Sequence, residues 1–229
     1  MALQKLSKLF VLLVACCKCA SAQQTELLSE VDAYLKLDSS IRLSVQAKNT
    51  REGGDPTQFM IGPDLELYVK PLIKLKKVAA FDLDDAKSRP LVFAVGYRYL
   101  AGSPSTNRMV LVATSHLSAK PGLLLSDRNR SDLDWSDGKF TWRYRNKLEV
   151  EKPLVIRSYH PAPYSSVEVY YESQHKKWST TEIDVGCLFP IRKRFEFDPY
   201  YQHQNNTGKS PNSQLNGIGL ILNIFLSAH

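Results

Sequence analysis

The chain's nearest approach to a nucleophilic pair is a histidine and a serine two positions apart. On an extended strand His116 and Ser118 would point to the same face, as the base and the nucleophile of a lipid hydrolase would have to do. A working nucleophile also needs a group that orients its base, and the sequence identifies no such acid or amide. The residues after Ser118 run Ala-Lys-Pro-Gly, without the Asn-Gly pair expected there. Lipid hydrolysis is therefore kept as an alternative, and no catalytic residue is assigned.

Residues that bind metals or form disulfides are few and scattered. Three of the four cysteines precede residue 22, so Cys187 stands alone in the rest of the chain and cannot build a disulfide framework. The remaining histidines lack the spacing of metal ligands. Three nearby acids, Asp82, Asp84 and Asp85, lack the loop spacing and glycine of a calcium site. The sequence predicts no metal and no cofactor.

The most informative chemistry is a row of charges that alternates with apolar residues over 139–151. One face carries Phe140, Trp142, Tyr144, Leu148 and Val150, interrupted by Asn146, and the other face is almost wholly charged. Such alternation is typical of a β-strand whose two faces meet different surroundings. Segments 166–172 and 181–189 repeat the pattern. If the apolar faces meet lipid, these charged side chains must line a barrel interior: Arg143, Arg145, Lys147, Glu149, Glu168, Glu172, Glu182 and Asp184.

The same alternation along the chain predicts about twelve strands. A tilted membrane strand needs roughly 9–11 residues, and single-chain bacterial barrels usually have an even strand number. We therefore expect a closed antiparallel up-and-down transmembrane β-barrel. The predicted strands lie near 30–38, 40–49, 58–70, 76–84, 90–100, 106–118, 122–134, 139–151, 163–174, 180–189, 194–203 and 215–226.

Strand ends and connections are consistent with a membrane barrel. The turn 190–193 is short and the polar loop 205–214 is long, which would place that loop outside the cell if the chain ends in the periplasm. Aromatic residues near strand ends could form a girdle at the lipid headgroups. The candidates are Trp135, Trp178, Tyr200 and Tyr201.

One strand pairing can be predicted from charge. An antiparallel pairing of 139–151 with 163–174 would set Arg143 against Glu172 and Lys147 against Glu168. Two interpretations of the interior stay open. The charges could form a satisfied network that fills a narrow barrel, or they could line a small pore or ligand cleft for a small solute.

The first residues have the pattern of a secretory signal. Lys5 and Lys8 precede an apolar run and the small residues Ala20-Ser21-Ala22, which predicts cleavage after Ala22 and a barrel domain over 23–229. Lipidation at Cys16 is the alternative. Residues 1–22 hold three lysines and no acid, so the formal charge falls from +7 to +4. This balance, with no clustered basic helix, argues against nucleic-acid binding.

Several motifs resemble one protein family. They are similar to the outer-membrane β-barrel group called domain of unknown function 2490, and they are 125–135, Phe140-Thr141-Trp142-Arg143-Tyr144-Arg145-Asn146-Lys147-Leu148, Tyr171-Glu172-Ser173, Asp198-Pro199-Tyr200-Tyr201 and 204–209. The resemblance implies a barrel in the outer membrane of a Gram-negative cell, without an assigned activity or catalytic residues. Its expected partners are outer-membrane lipid and, during biogenesis, the barrel-assembly machinery. The C-terminus departs from the usual assembly signal, because Leu222 and Ile224 stand where aromatics are often found.

A soluble β-protein is the alternative, since the alternating pattern by itself fits that class as well. In a secreted β-sandwich or lipocalin-like binder, the apolar faces would pack into a protein core and the charged faces would meet water. The two classes differ in which face of each strand lies inside.

Overall fold

Eleven β-strands form a single closed barrel. The structure is a computed structural model and describes residues 24–52, 55–69, 84–119, 122–192, 194–208 and 212–227, so the predicted signal, its cleavage point and Cys16 lie outside the described residues. The strands are β1 (Gln24–Lys36), β2 (Ile41–Glu52), β3 (Asp55–Tyr68), β4 (Leu91–Ala101), β5 (Thr106–Ala119), β6 (Leu123–Ser136), β7 (Lys139–Glu151), β8 (Ala162–Glu172), β9 (Lys177–Ile191), β10 (Phe195–Asn206) and β11 (Ser213–Ser227). A short 3-10 helix, Asp85–Ser88, precedes β4.

Consecutive strands pair antiparallel around the ring, and the barrel closes between β1 and β11. The closing pair is parallel, with Val31 opposite Leu222 and Tyr34 opposite Phe225. This parallel closure follows from the odd strand number, because the first and last strands of an odd up-and-down series run in the same direction. The predicted closed barrel is confirmed, whereas its wholly antiparallel pairing is wrong at this seam.

The predicted number of twelve strands is also wrong. β3 pairs directly with β4, setting Leu67 opposite Phe93 and Tyr68 opposite Val92, so no further strand lies between them. The predicted strand 76–84 falls outside the described residues except for Asp84, which is not in a strand. The prediction of an even number rested on the even strand number that is usual in bacterial barrels. Alternation along one segment does not show how many segments join the ring.

The connections differ in length at the two ends of the barrel. At the end where β11 finishes, here the C-end, lie the connections 37–40, 69–90, 120–122, 152–161 and 192–194. The opposite N-end has the connections 53–54, 102–105, 137–138, 173–176 and 207–212, none longer than six residues. The short turn after β9 and the longer loop after β10 agree with expectation. The two longest connections nevertheless lie at the C-end, together with that short turn.

The two faces of the strands are sharply different. Outward side chains are apolar and well exposed, as for Leu148 (54%) and Ile218 (54%), whereas inward acids such as Glu168 (1%) and Asp132 (0%) are buried. A two-sheet sandwich does not fit a single closed sheet, and a soluble barrel would carry the apolar rows inside. The observed arrangement is the reverse of a soluble core.

Candidate functional site

The barrel interior holds the candidate site. A cavity of about 530 Å³ runs along the lumen, and its walls are mostly charged, amide and tyrosine side chains. A second cavity of about 300 Å³ is lined by residues of β1 to β7 and of the segment 84–87, including Glu66, Arg98 and His116. The chemistry available to a molecule inside is therefore ionic and hydrogen-bonding.

The structure brings most of the predicted interior residues together. Seven of them line the main cavity: Arg143, Arg145, Lys147, Glu149, Glu168, Glu182 and Asp184. The eighth, Glu172, lies near the N-end, where it accepts a hydrogen bond from Ser179 at 2.7 Å and lies 3.7 Å from Arg143.

The predicted register between β7 and β8 is confirmed, since Arg143 lies opposite Glu172 and Lys147 opposite Glu168. Backbone register does not decide every ionic partner, however. Lys147 Nζ donates to Asp184 on β9 at 3.0 Å, and Glu168 accepts from Arg145 at 2.8 Å. The long side chains thus reach diagonally to the next strand and past it to the strand beyond.

Cations concentrate on three neighbouring strands and form what we call the basic wall. Within it, the fully buried carboxylate of Asp132 lies 2.6 Å from Arg130, 3.1 Å from Arg143 and 3.8 Å from Arg108. Glu168 is similarly shared by two guanidinium groups. The basic wall consists of Arg108 on β5, Arg128 and Arg130 on β6, and Arg143, Arg145 and Lys147 on β7.

Acids concentrate on the other side of the lumen and form the acidic wall. Several are held by neutral donors: Tyr164 donates to Asp198 at 3.0 Å, Tyr170 to Glu182 at 2.6 Å, and Asn223 to Glu196 at 3.1 Å. The acidic wall consists of Glu30 and Asp32 on β1, Glu182 and Asp184 on β9, and Glu196 and Asp198 on β10. The lumen is therefore divided into sides of opposite charge.

Half of the basic wall and most of the acidic wall were missed by sequence reasoning. Arg128, Arg130 and Asp132 do follow the period-two rule on β6, but the opposite face of that strand carries Asp127 and Asn129. Because both faces of β6 carry polar residues, the alternation does not show which face points into the barrel. The signal that could have found the arginines was the register with β7, whose charged face was already recognised.

The segment before β4 bridges the lumen near the C-end. Asp84 forms an ion pair with Arg42 on β2, and Lys87 Nζ lies 2.5 Å from Glu151 Oε2 on β7. Strands β2 and β7 are nearly opposite in the ring of eleven. Burial would raise the pKa of Asp84, but Arg42 and Lys87 outweigh it and hold that pKa below its ordinary value. The segment 84–88 is thus anchored to both walls as a charged crossbar.

The histidine and serine of the hydrolase alternative lie on β5 near the C-end. His116 Nδ1 is 2.7 Å from the backbone oxygen of Arg89, and Ser118 is exposed. Within the described ranges, no hydrogen bond joins the two side chains. The geometry gives this alternative no additional support.

The outer surface carries a polar cluster at mid-height on β6 and β7. Asn146 on β7 donates to Asp127 at 2.7 Å and to Asn129 at 3.2 Å, and Tyr144 also donates to Asn129. This outer polar cluster, Asp127, Asn129, Tyr144 and Asn146, satisfies much of its own hydrogen-bonding capacity. It explains the interruption seen in the alternating sequence.

Outward aromatics cluster at the N-end. Ring centroids are 5.4 Å apart for Trp142 and Tyr171, and 5.8 Å apart for Tyr171 and Trp178. Trp135 and Trp178 are exposed at strand ends, in keeping with a girdle, whereas the exposed Tyr201 lies midway along β10 and not at a strand end as predicted. Tyr200 does not belong to it, because its side chain points inward and packs over Gly219.

No protein-family model matches the chain, and no curated protein was found that resembles it. Across the described ranges, no helix is long and apolar enough to cross a bilayer, which does not bear on crossing by strands. Among those same residues, no group of three or more His, Cys, Asp or Glu side chains could hold a metal ion.

Proposed function

We propose that this chain is an outer-membrane β-barrel whose charge-divided lumen admits small polar solutes. The observation that carries the proposal is the inverted arrangement of the strands, with apolar rows outside and buried ions inside. Soluble monomers rarely expose apolar patches larger than a few hundred Å². In a bilayer the same surface meets hydrocarbon, and the inward charges avoid a cost of about 2–4 kcal/mol per lipid-exposed Arg or Lys.

Export by a cleaved signal at residues 1–22 and insertion by the barrel-assembly machinery belong to this proposal. So does the resemblance to the family called domain of unknown function 2490, which implies a Gram-negative outer-membrane protein. The closed barrel and the N-end aromatics support the membrane location. Hydrocarbon also offers no partners for backbone groups, and a closed barrel pairs them internally.

Fractionation and gel electrophoresis test the membrane location. We expect the mature protein in the outer-membrane fraction, soluble only with detergent, and migrating differently when loaded unheated and after boiling. A protein that stays in free solution without detergent would refute the proposal. Boiled and unheated samples of one preparation serve as the internal control.

Barrel size supports a narrow passage. About eight strands leave room only for side chains, whereas 16–18 leave an aqueous channel. Eleven strands fall between these limits, and the observed cavity of about 530 Å³ suits a small molecule with its water. Opposed charges across a narrow lumen favour polar solutes and orient their dipoles.

Planar-bilayer recording tests the passage. We expect small, discrete conductance steps from the purified barrel, with the crossbar 84–88 limiting their size. The test variant is Glu151→Gln, which removes an anchor of the crossbar. Its matched control is Glu149→Gln, which changes a luminal acid on the same strand that contacts Lys147. A silent wild-type barrel and a silent Glu151→Gln variant would instead support a filled structural network.

A further inference from the structure

Four cations of the basic wall face one another in directly opposed pairs. In the β6–β7 register, Arg130 lies opposite Arg145, and Arg128 lies opposite Lys147. Like charges directly opposite on one sheet face are destabilising. The arrangement therefore concentrates positive charge in one patch of the lumen.

The neighbouring carboxylates do not use all of the guanidinium donors. Arg130 donates through Nε to Asp132 at 2.6 Å, and no hydrogen bond from its two terminal nitrogens occurs within the described part of the chain. Arg128 donates through Nη2 to Glu168, and neither its buried Nε nor its Nη1 has a hydrogen-bond partner there. Arg145 uses Nε and Nη2 but not Nη1. Donors on three adjacent side chains are left for a ligand.

Asp132 and Glu168 are each shared among several cations. Asp132 serves Arg108, Arg130 and Arg143, and Glu168 serves Arg128 and Arg145. Arg108 also pairs with Asp134, and Arg143 lies near Glu172, but in the described part of the chain the other three arginines have only shared acids as ionic partners. All five arginines line the main cavity. A second acceptor with several oxygens would relieve the repulsion and take up the unused donors.

We propose that Arg128, Arg130 and Arg145 form a luminal binding site for an oxyanion group, a phosphate or carboxylate carried by a small solute. The planar guanidinium group binds such groups through paired hydrogen bonds. The acidic wall opposite would disfavour a second negative group on the same solute. The inference rests on the proposed solute lumen and names the chemistry of its ligand.

The test is a titration of the purified full-length mature barrel in non-ionic detergent with inorganic phosphate at constant ionic strength. We expect saturable binding by calorimetry. Arg130→Gln should weaken it about tenfold or more, because a charge-assisted pair of hydrogen bonds is lost. Lys139→Gln removes one positive charge at the exposed start of β7, outside the site, and should leave the affinity unchanged. No saturable binding by wild type, or an equal loss in Lys139→Gln, would overturn the site.

A stability measurement separates binding from a purely structural role. Without phosphate, Arg130→Gln should melt at the same or a higher temperature than wild type, because repulsion from Arg145 falls and Asp132 keeps two other guanidinium partners. Phosphate should then stabilise wild type more than the variant. A lower melting temperature with an unchanged phosphate effect would mean that Arg130 only supports the fold.

A lipid headgroup carries the same chemistry, so a second arm titrates short-chain phosphatidylglycerol. Binding of this lipid without binding of phosphate would overturn the assignment to a small solute. Both arms are independent of conductance and fractionation. A silent barrel that still binds phosphate would refute the passage but not the site, whereas a conducting barrel that ignores phosphate would refute the site alone.

Discussion

Lys87 and Glu151 join two distant parts of the chain, with Nζ and Oε2 only 2.5 Å apart inside the barrel. Glu151 is 1% exposed at the end of β7, and Lys87 belongs to the segment before β4. Three residues earlier, Asp84 contacts Arg42 on the opposite wall. The crossbar is therefore held to both walls by ion pairs within one turn of helix, and Asp85 adds a further pair with Lys36 at 2.5 Å.

Loss of the Glu151 carboxylate should loosen the crossbar. In Glu151→Gln the Lys87 ammonium loses its buried ionic partner, a change that typically costs about 3–5 kcal/mol. We expect trypsin to cleave after Lys87 at least about tenfold faster than in wild type, measured by mass spectrometry of the detergent-solubilised barrel. Glu149→Gln, the matched control, should cleave at the wild-type rate. Equal rates in Glu151→Gln and wild type would show that this ion pair does not hold the segment.

The crossbar should resist mild acid. The pKa of Asp84 is lower in the folded protein, so its carboxylate stabilises the segment above its unfolded pKa of about 3.9, and the contribution is lost as pH falls through the lower folded value. Amide exchange of peptides covering 84–92, corrected for intrinsic rates, should match between pH 7 and pH 5 and rise only in stronger acid. In Asp84→Asn exchange should be faster at neutral pH, with less dependence on acid. Opening of the wild-type segment between pH 7 and pH 5 would contradict this assignment.

Gly219 should tolerate no larger residue, because the ring of Tyr200 occupies the space of its missing side chain. A Cβ on Gly219 would lie 1.9 Å from the ring's Cζ atom. We expect Gly219→Ala to lower the free energy of unfolding by about 1–3 kcal/mol, measured by urea denaturation in detergent. Gly102→Ala, where the nearest atom is 3.4 Å away, is the control and should be close to neutral. Equal stability of both variants would mean that Tyr200 moves freely.

The outer polar cluster should behave as a coupled unit. Asn146→Leu removes two donors from Asp127 and Asn129, and should cost about 1–3 kcal/mol by leaving a polar group unsatisfied on the apolar surface. Adding Asp127→Leu should recover part of that loss, because the Asp127 carboxylate, the group least tolerated on the apolar surface, is then removed as well. Urea denaturation of both variants measures the coupling. Additive losses in the double variant would show that the two side chains act independently.

Sequence alone was enough to predict which segments alternate and which of their faces differ. The predicted bounds of β7, 139–151, agree with the structure, and charge complementarity identified its register against β8 through Arg143 and Glu172. Both features are local, because period-two alternation is a property of the sequence of one strand and a cross-strand pair involves only two neighbouring segments.

Ring closure and the partners inside the lumen were decided by the tertiary structure. The strand number and the parallel β1–β11 seam depend on which segments find an unpaired edge, which no single segment encodes. Tyr200 turned inward because Gly219 leaves space for its ring, and Lys147 found Asp184 because the curved sheet brings β9 within reach of β7. Side-chain chemistry sets which contacts are favourable, but only the closed ring brings distant side chains close enough to make them.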